Sequence, residues 1–302
     1  MKKILLTGSN GFVGSNLAEY LHEKYWIVGM GRNNKIKGAV QEYIKADISE
    51  DLLKLSNLLE KCECIIHAAA DKSGDDYTDS LIDINCKGTY HIAKLARRIN
   101  CQKVIYISSI PVIGIPPKSE IKEEYLPFPM TMYHATKLAG EYILQQLMKD
   151  GIKVIILRIP SPIGKRMVNN TIFPVFLQKA LLNEPIEILG KGSRKQNYID
   201  LRDVANIVNR SIELDVESGC YNIASDENIS NLELAQKCVT YLDSSSKIIL
   251  SNKPDKFEGQ TWNISIEKAQ KYMNYVPKYN LEQMIKYYGK GMKDELSRFN
   301  RE

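Results

Sequence analysis

The sequence contains no run of apolar residues near the roughly 20 that a helix needs to cross a bilayer. We therefore expect no membrane partner. The first apolar stretch begins at Ile4 and ends three residues later, at Thr7. Because a secretion signal needs a longer apolar region, we interpret this stretch as a strand and expect a cytoplasmic protein.

A large excess of either charge is also absent. The chain has 41 Lys and Arg residues against 36 Asp and Glu residues, and its formal net charge is +5. Basic and acidic residues are interspersed, so the charge balance does not predict a nucleic-acid partner.

Cysteines are few, and they are scattered. Six of them occur in 302 residues, without a secretion signal, so we expect reduced, buried thiols and no disulfide framework. Cys62 and Cys64 have no second Cys or His pair at ligand spacing nearby, and we expect no metal site.

The residues that are present indicate a globular protein, since 44% of them are hydrophobic, and their order along the chain indicates the α/β class. Up to about residue 160, apolar runs alternate with segments of helical periodicity, which is typical of a doubly wound parallel sheet. The predicted strands cover 2–7, 26–31, 42–46, 64–69, 103–108 and 152–159. After Gly164 the sequence mixes loops with helices. The predicted helices of the whole chain cover 14–24, 79–99, 133–149, 174–183, 230–243 and 279–292.

A glycine-rich turn follows the first predicted strand. The stretch ILLTGSNGFVG places Gly8, Gly11 and Gly14 at intervals of three, directly before a helical pattern. In a strand-turn-helix unit, small residues permit a tight turn, and the N–H groups at the helix start bind a pyrophosphate. An ordinary glycine turn is the alternative reading, and the motif alone is weak evidence. Its position between a strand and a helix predicts dinucleotide binding.

Tyr133 and Lys137 are four residues apart on a predicted helix, so their side chains share one face. We expect the ammonium to lower the pKa of Tyr133 from its usual value of about 10, which would make Tyr133 a proton donor or acceptor near neutrality. Ser109, at the end of a predicted strand, would hydrogen-bond a substrate oxygen. His67 and His134 also lie within motif segments, and we expect them to pack rather than to react.

With these motifs in this order, the sequence resembles the extended short-chain dehydrogenase/reductases that act on nucleotide sugars. The resemblance extends from TGSNGFVG to LEQMIKYY, nearly the whole chain. It implies a Rossmann-type dinucleotide-binding domain, formed by residues 1–164 and about 197–224. A smaller α/β lobe, formed by residues 165–196 and 225–302, would bind the nucleotide sugar.

The resemblance also implies roles for single residues. Ser109, Tyr133 and Lys137 would be catalytic, and Lys137 would also bind the nicotinamide ribose. Besides Tyr133 and Lys137, the residues that would contact the cofactor are Gly8, Asn10, Gly11, Phe12, Val13, Gly14, Arg32, Asp47, Ile48, Ala68, Ala69, Asn85, Pro160 and Ile163. The residues that would contact the substrate are Ser108, Asn170, Arg194 and Gln196.

Two departures from the family pattern are informative. The family's phosphate-binding arginine falls at Gln196, so Arg194 or Lys195 would have to replace it. Ile110 and Pro111 stand where the dehydratases of the family have an Asp-Glu pair. With no acid or base there, elimination of water is not expected.

The choice of cofactor follows from the end of the second predicted strand. NAD-specific relatives have an acid there for the adenosine ribose, whereas this sequence has Arg32 and Asn33. We predict a preference for NADP, with Arg32 on the 2′-phosphate, and NAD as the second possibility. The alternative is that Arg32 is a solvated loop residue.

Two reactions on a nucleoside-diphosphate sugar remain open. The favoured one is NADP-dependent reduction of a nucleotide-linked 4-keto sugar, of the 6-deoxy class, with Tyr133 as proton donor. The alternative is 4-epimerisation through a transient keto intermediate. A dinucleotide-binding sensor or scaffold would be expected to have lost Tyr133 or Lys137, and both are present. The resemblance further implies a homodimer, paired through the helices at about 79–99 and 133–149.

Overall fold

Twelve strands lie within the residues that the computed structural model describes, which are 1–34, 38–72, 76–168 and 170–299. They are β1 (Lys3–Thr7), β2 (Trp26–Gly31), β3 (Glu42–Lys45), β4 (Cys62–His67), β5 (Lys103–Ser109), β6 (Lys153–Ile159), β7 (Ser161–Ile163), β8 (Ile186–Ile188), β9 (Lys195–Asp200), β10 (Gly219–Asn222), β11 (Asn228–Ser230) and β12 (Ile248–Leu250).

The α-helices of the same residues are α1 (Phe12–Leu21), α2 (Ser56–Leu59), α3 (Thr89–Arg98), α4 (Met132–Gln145), α5 (Ile172–Leu182), α6 (Leu201–Glu213), α7 (Asn231–Tyr241), α8 (Glu267–Met273) and α9 (Leu281–Phe299). In this part of the chain, no helix is both long and apolar enough to span a membrane.

Seven of the described strands form one parallel sheet, in the order β10-β6-β5-β4-β1-β2-β3. Its strands are apolar on both faces because helices cover both sides. Leu6 of β1 packs into the core with α1 and α6, whereas its neighbour Leu5 packs into the opposite core with α3 and α4. The α/β, doubly wound class predicted from the sequence is therefore confirmed.

The carboxyl ends of β1, β4, β5 and β6 all lie at the same edge of this sheet, because these strands are parallel neighbours. This edge brings together the segments that directly follow each strand. Ligands of open α/β sheets bind at such an edge, and most of the predicted site residues lie there.

Two small sheets follow in the second half of the described chain, β7-β9-β11 and β8-β12. With α5, α7 and α9 they enclose a separate core, which contains Phe173, Tyr198, Leu234 and Ile285. The assignment of residues 1–164 plus 197–224 and of 165–196 plus 225–302 to two domains stays a prediction.

Two differences between the structure and the predicted elements concern segments of the candidate site. The predicted strand 64–69 ends at His67, so Ala68 and Ala69 lie beyond it. The predicted helix 79–99 is α-helical only in α3, because residues Leu81–Gly88 before it form a wider π-helix. Such π-helical turns occur often at functional sites.

Candidate active site

The turn after β1 requires its glycines for the packing of the chain itself. Gly8 has φ +67°, and a Cβ there would lie 2.6 Å from the Cα of Ala69. A Cβ on Gly14 would lie 2.2 Å from the carbonyl oxygen of Gly8. Any side chain at either position would displace backbone, so the tight turn excludes other residues even without a ligand.

The helix start after this turn is open to an anion. Gly11 is the N-cap residue of α1, no side chain among the described residues caps the helix, and its first turn contains no acid. The first N–H groups of a helix have no partner within the helix, and they carry its positive dipole end. The backbone around Phe12 and Val13 therefore fits the pyrophosphate of a dinucleotide, as the sequence predicts.

A buried polar network joins the ends of β1 and β4 to the π-helix. His67 makes hydrogen bonds through Nδ1 to Oγ1 of Thr7 at 2.7 Å and through Nε2 to Oγ1 of Thr89 at 3.0 Å. Thr89 in turn donates to the carbonyl oxygen of Asn85 at 2.6 Å. Burial lowers the pKa of His67 to about 3, so the ring is neutral. The expectation that His67 packs at a strand end is confirmed.

Asn85 connects this network to the helix that carries the reactive residues. Its side-chain nitrogen donates to the carbonyl oxygen of Asp71 at 2.9 Å and to Oγ1 of Thr136 at 3.0 Å. Thr136 donates to the carbonyl oxygen of Tyr133 at 2.9 Å. Asn85 is fully engaged in the fold, and it fixes the first turn of α4 against the π-helix.

Ser109 and Tyr133 lie on elements that pack together. Ser109 is the last residue of β5, and Tyr133 is in the first turn of α4, which contacts β5. Thr131 caps α4 by accepting a hydrogen bond from the N–H of His134 at 3.3 Å, and it also bonds the His134 ring at 2.8 Å. The His134 ring is thus held by the helix cap, as expected for a packing residue.

The predicted lowering of the pKa of Tyr133 by Lys137 is wrong for this structure. Burial raises the pKa of Tyr133 to about 12, so the phenol keeps its proton at neutral pH. Lys137 is itself buried, which lowers its own pKa to about 7, and its ammonium lies 4.0 Å from the centroid of the Tyr106 ring. A spacing of four residues shows a shared helix face, but desolvation decides the charge of both groups.

The other polar residues predicted to bind the cofactor differ in their exposure and in their hydrogen-bond partners. Arg32 follows β2 and is exposed, whereas Asn10 donates to the Tyr43 hydroxyl at 2.9 Å. Asp47 accepts hydrogen bonds from the N–H and hydroxyl of Ser49, so its carboxylate closes a local turn.

The remaining residues predicted to contact the cofactor are apolar and lie near the strand ends. Ile48 is buried, and a Cβ on Gly88 of the π-helix would lie 2.7 Å from its side chain. Pro160, which follows β6, is half-buried, and Ile163 of β7 is buried in the core that contains Phe173.

The predicted substrate residues lie in three places. Ser108 is buried and donates to Glu141 at 2.5 Å, so its predicted contact with a substrate has no support here. Asn170 is exposed just before α5.

Gln196 and Arg194 lie at the start of β9. The side-chain amide of Gln196 donates to the Tyr198 hydroxyl and to Asn231, each at 3.1 Å. The Arg194 guanidinium lies 4.7 Å from the centroid of the Phe257 ring, and its buried Nε has no hydrogen-bond acceptor among the described residues. Within the described part of the chain, Arg194 therefore has one donor without an acceptor, as a phosphate-binding residue would.

Sequence reasoning missed a buried ion pair below the candidate site. Arg158 of β6 donates to Glu141 of α4 through Nη2 at 2.7 Å, and both side chains are almost fully buried. The signal was available, since an arginine inside the apolar run KVIILRIP must find a buried partner.

Comparisons with known proteins relate the chain to one family and to solved structures of the same fold. A family model described as "NAD dependent epimerase/dehydratase family" matches residues 4–224. The UDP-glucose 4-epimerase of Pisum sativum is 26% identical over 331 residues, which cover 94% of each chain. The crystal structure of the UDP-glucose 4-epimerase of Thermotoga maritima with UDP-glucose has a TM-score of 0.88 at 20% identity, over 97% of this chain and 99% of that one. The UDP-glucuronic acid 4-epimerase of Bacillus cereus, in complex with NAD, has a TM-score of 0.82 at 25% identity, over 96% and 99%.

Proposed function

The chain belongs to the NAD dependent epimerase/dehydratase family, and on that basis we propose that it epimerises a UDP-hexose at C4. Of the two reactions left open by the sequence, epimerisation has the stronger support, because the similar proteins named above are 4-epimerases. The substrate class is the nucleoside-diphosphate sugar predicted from the sequence.

One observation carries the proposal. Tyr133 and Lys137 occupy one turn of α4, and α4 packs against β5, which ends in Ser109 at the edge where the open α1 N-terminus also lies. This arrangement supports a site in which a proton-carrying phenol and a hydroxyl lie beside a dinucleotide.

The chemistry of the chain follows from these groups. When bound, the dinucleotide supplies a hydride acceptor and donor for the sugar carbon. The Tyr133 phenol, protonated at neutral pH, holds the proton that the C4 oxygen exchanges. Ser109 would donate a hydrogen bond to that oxygen and orient it. For Tyr133 to accept a proton, its pKa must fall, and a charged Lys137 is the nearest cation on its own helix face that can lower it.

Arg194 would bind the diphosphate of the substrate in place of an arginine at Gln196. Its guanidinium lies over the Phe257 ring, and its Nε has no acceptor in the segments that the structure describes. The amide of Gln196 is neutral and already bonded to two neighbours. Exposed Asn170 would provide a further polar contact at the start of α5.

Arg32 favours a second candidate, the NADP-dependent reduction of a nucleotide-linked 4-keto-6-deoxy sugar. Arg32 is exposed directly after β2, and Asn33 and Asn34 provide no carboxylate for a ribose 2′-hydroxyl. A preference for NADP suits a reductase, which consumes reduced cofactor. Dehydration is not proposed, because buried Ile110 and half-buried Pro111 take the places of the acidic pair.

The experiment follows product and cofactor separately. Purified protein is incubated with UDP-glucose, UDP-N-acetylglucosamine or UDP-glucuronic acid and catalytic NAD or NADP, and products are identified by NMR. A 4-epimer formed without net change of cofactor is the expected result. Stoichiometric loss of NADPH with nucleotide-linked 4-keto-6-deoxyhexoses, and no epimer from the UDP-sugars, would show the reductase instead.

We also propose a homodimer in which α3 and α4 of two copies pair. Tyr90 of α3 and Tyr142 of α4 are each 54% exposed, so these helices have apolar surface beyond that used in the core. Light scattering at micromolar concentration tests this, and a monomer would contradict it. The cytoplasmic location stays a prediction.

A further inference from the structure

A buried carboxylate lies one helical turn beyond Lys137 on α4. Glu141 is 1% exposed, and it accepts hydrogen bonds from Ser108 of β5 at 2.5 Å and from Arg158 of β6, through Nε at 3.0 Å and Nη2 at 2.7 Å. A buried ion pair stabilises a fold weakly unless it is fully hydrogen-bonded. Here Nη1 of Arg158 has no hydrogen-bond acceptor among the described residues. Stability alone therefore gives a weak reason for this pair.

Lys137 is the next charged group along the same face. Its side chain is 3% exposed, and its ammonium lies over the Tyr106 ring at 4.0 Å from the centroid. Burial lowers the pKa of Lys137 to about 7, and the carboxylate of Glu141 acts in the opposite direction. At neutral pH, Lys137 is thus close to the midpoint of its titration, where a small change in the local field changes its charge.

Helix α4 has a glycine at the position where it packs against the Tyr106 side chain. Gly140 lies in the interior of α4, and a Cβ there would lie 2.5 Å from the Tyr106 hydroxyl oxygen. The hydroxyl makes a long hydrogen bond of 3.5 Å to the carbonyl oxygen of Lys137. The ring under Lys137 is therefore held by close contact with the backbone of the helix.

We propose that Tyr106 and Glu141 are positioning residues for Lys137. The Tyr106 ring holds the Lys137 ammonium in place, and the Glu141 carboxylate, one turn further along the same helix face, favours the charged form of Lys137 beside Tyr133. The proposal rests on the proposed function for the role of Lys137. Since Lys137 must be charged to lower the pKa of Tyr133, these two residues would decide whether the phenol can accept a proton.

The titratable and charged groups around Lys137 come from several elements. They are His67 of β4, Tyr106 of β5, and Tyr133, His134 and Glu141 of α4, with Arg158 of β6 and Cys220 of β10 behind Glu141. His67 is neutral, because its pKa is about 3. Glu141 is then the one anion in this set, and removing its charge would leave two buried cations, Lys137 and Arg158. Without the Glu141 charge, the titration midpoint of Lys137 should therefore move to lower pH.

The test titrates Lys137 directly, by NMR of protein labelled with 13C-lysine, without dinucleotide or substrate. The Lys137 signal is assigned by its loss in Lys137→Met. Glu141→Gln should lower the Lys137 midpoint by about one pH unit, the lower end of the effect of an adjacent opposite charge. Glu141→Asp, which keeps the charge, should recover most of the shift. Glu227→Gln, which removes an ion pair with Lys237 of α7, should leave the midpoint unchanged.

A second pair of variants keeps the test decisive if Glu141→Gln does not fold. Tyr106→Leu removes the ring under the ammonium and should lower the midpoint, whereas Tyr106→Phe keeps the ring and should not. In active protein, the alkaline limb of the pH profile of kcat should move to lower pH in the same variants.

An unchanged Lys137 midpoint in a folded Glu141→Gln or Tyr106→Leu variant would overturn the assignment of that residue. The two proposals fail separately. The protein could epimerise no UDP-hexose and still show the expected shifts of the Lys137 titration midpoint in the variants. That result would contradict only the proposed function, since the titration needs neither substrate nor turnover.

Discussion

The side-chain amide of Asn85 donates a hydrogen bond of 3.0 Å to Oγ1 of Thr136, and both residues are buried. The bond connects the π-helix to α4, and the Thr136 hydroxyl in turn donates a hydrogen bond to the carbonyl oxygen of Tyr133. The position of the reactive tyrosine thus depends on a residue that belongs to another element.

Replacement of Thr136 by valine should weaken this connection without changing the side-chain shape. The buried Asn85 amide would lose one acceptor, which costs about 1–3 kcal/mol of the free energy of unfolding. Urea unfolding measures this loss. Thr240→Val, at an exposed position of α7, should leave the urea midpoint of unfolding nearly unchanged. Equal urea midpoints for the two variants would contradict the role of Thr136.

Tyr133→Phe should leave folding and cofactor binding nearly intact and lower turnover about 100-fold or more, because only the transferable proton is deleted. Lys137→Met should harm both binding and turnover. Tyr142→Phe, at an exposed position of the same helix, is the matched control. If Tyr133→Phe kept a tenth of the wild-type rate or more, another group would be the acid.

Arg32→Ala should lower the affinity for NADP about 10- to 150-fold, since a charge-assisted contact to the 2′-phosphate contributes about 1.5–3 kcal/mol. The affinity for NAD should change little. Fluorescence titration of both cofactors checks this, with Arg98→Ala at the end of α3 as control. Equal or tighter binding of NAD by the wild-type protein would reject the NADP preference.

Gly140→Ala should destabilise the protein by about 1–3 kcal/mol, although alanine normally stabilises a helix interior relative to glycine by about 1 kcal/mol. The reason is the Cβ that would meet the Tyr106 hydroxyl at 2.5 Å. Gly291→Ala in α9 is the control, because a Cβ there meets nothing within 4 Å, and it should stabilise the protein. Thermal unfolding compares the two, and stabilisation by both would contradict the contact.

Stability should fall on acidification because of His67. Its pKa is about 3 in the folded protein and about 6.5 in an unfolded chain, so between these values the unfolded state binds more protons. The free energy of unfolding then decreases by up to about 1.4 kcal/mol per pH unit as the pH falls through this window. Urea unfolding at pH 7, 6 and 5 should show a smaller slope in His67→Gln. The same slope in both proteins would mean that other groups cause the loss.

Local patterns in the sequence predicted the elements of the large sheet and the turn that follows β1. Each predicted strand up to residue 159 agrees with β1 to β6 within two residues at either end. Apolar runs, helical periodicity and glycine spacing are properties of neighbouring residues, so they are readable without the fold. The spacing of Tyr133 and Lys137 is of the same kind.

Local sequence patterns did not predict which strands pair when the strands are far apart along the chain. The sheet β7-β9-β11 joins residues 161, 195 and 228, and α8 was missed. Short strands with partners far along the chain leave little local pattern, because their stability comes from the contacts and not from the sequence of the strand itself.

The charge states of the site were decided by the tertiary structure alone. The sequence placed Lys137 one turn from Tyr133, which predicts a lowered pKa for the phenol, yet burial raises that pKa to about 12 and lowers that of Lys137 to about 7. Burial depends on β5, β6 and the π-helix folding around α4. The sequence by itself therefore determined which reactive groups share a helix face, and only the packing of distant segments around them determined how they ionise, because desolvation is a property of the whole fold.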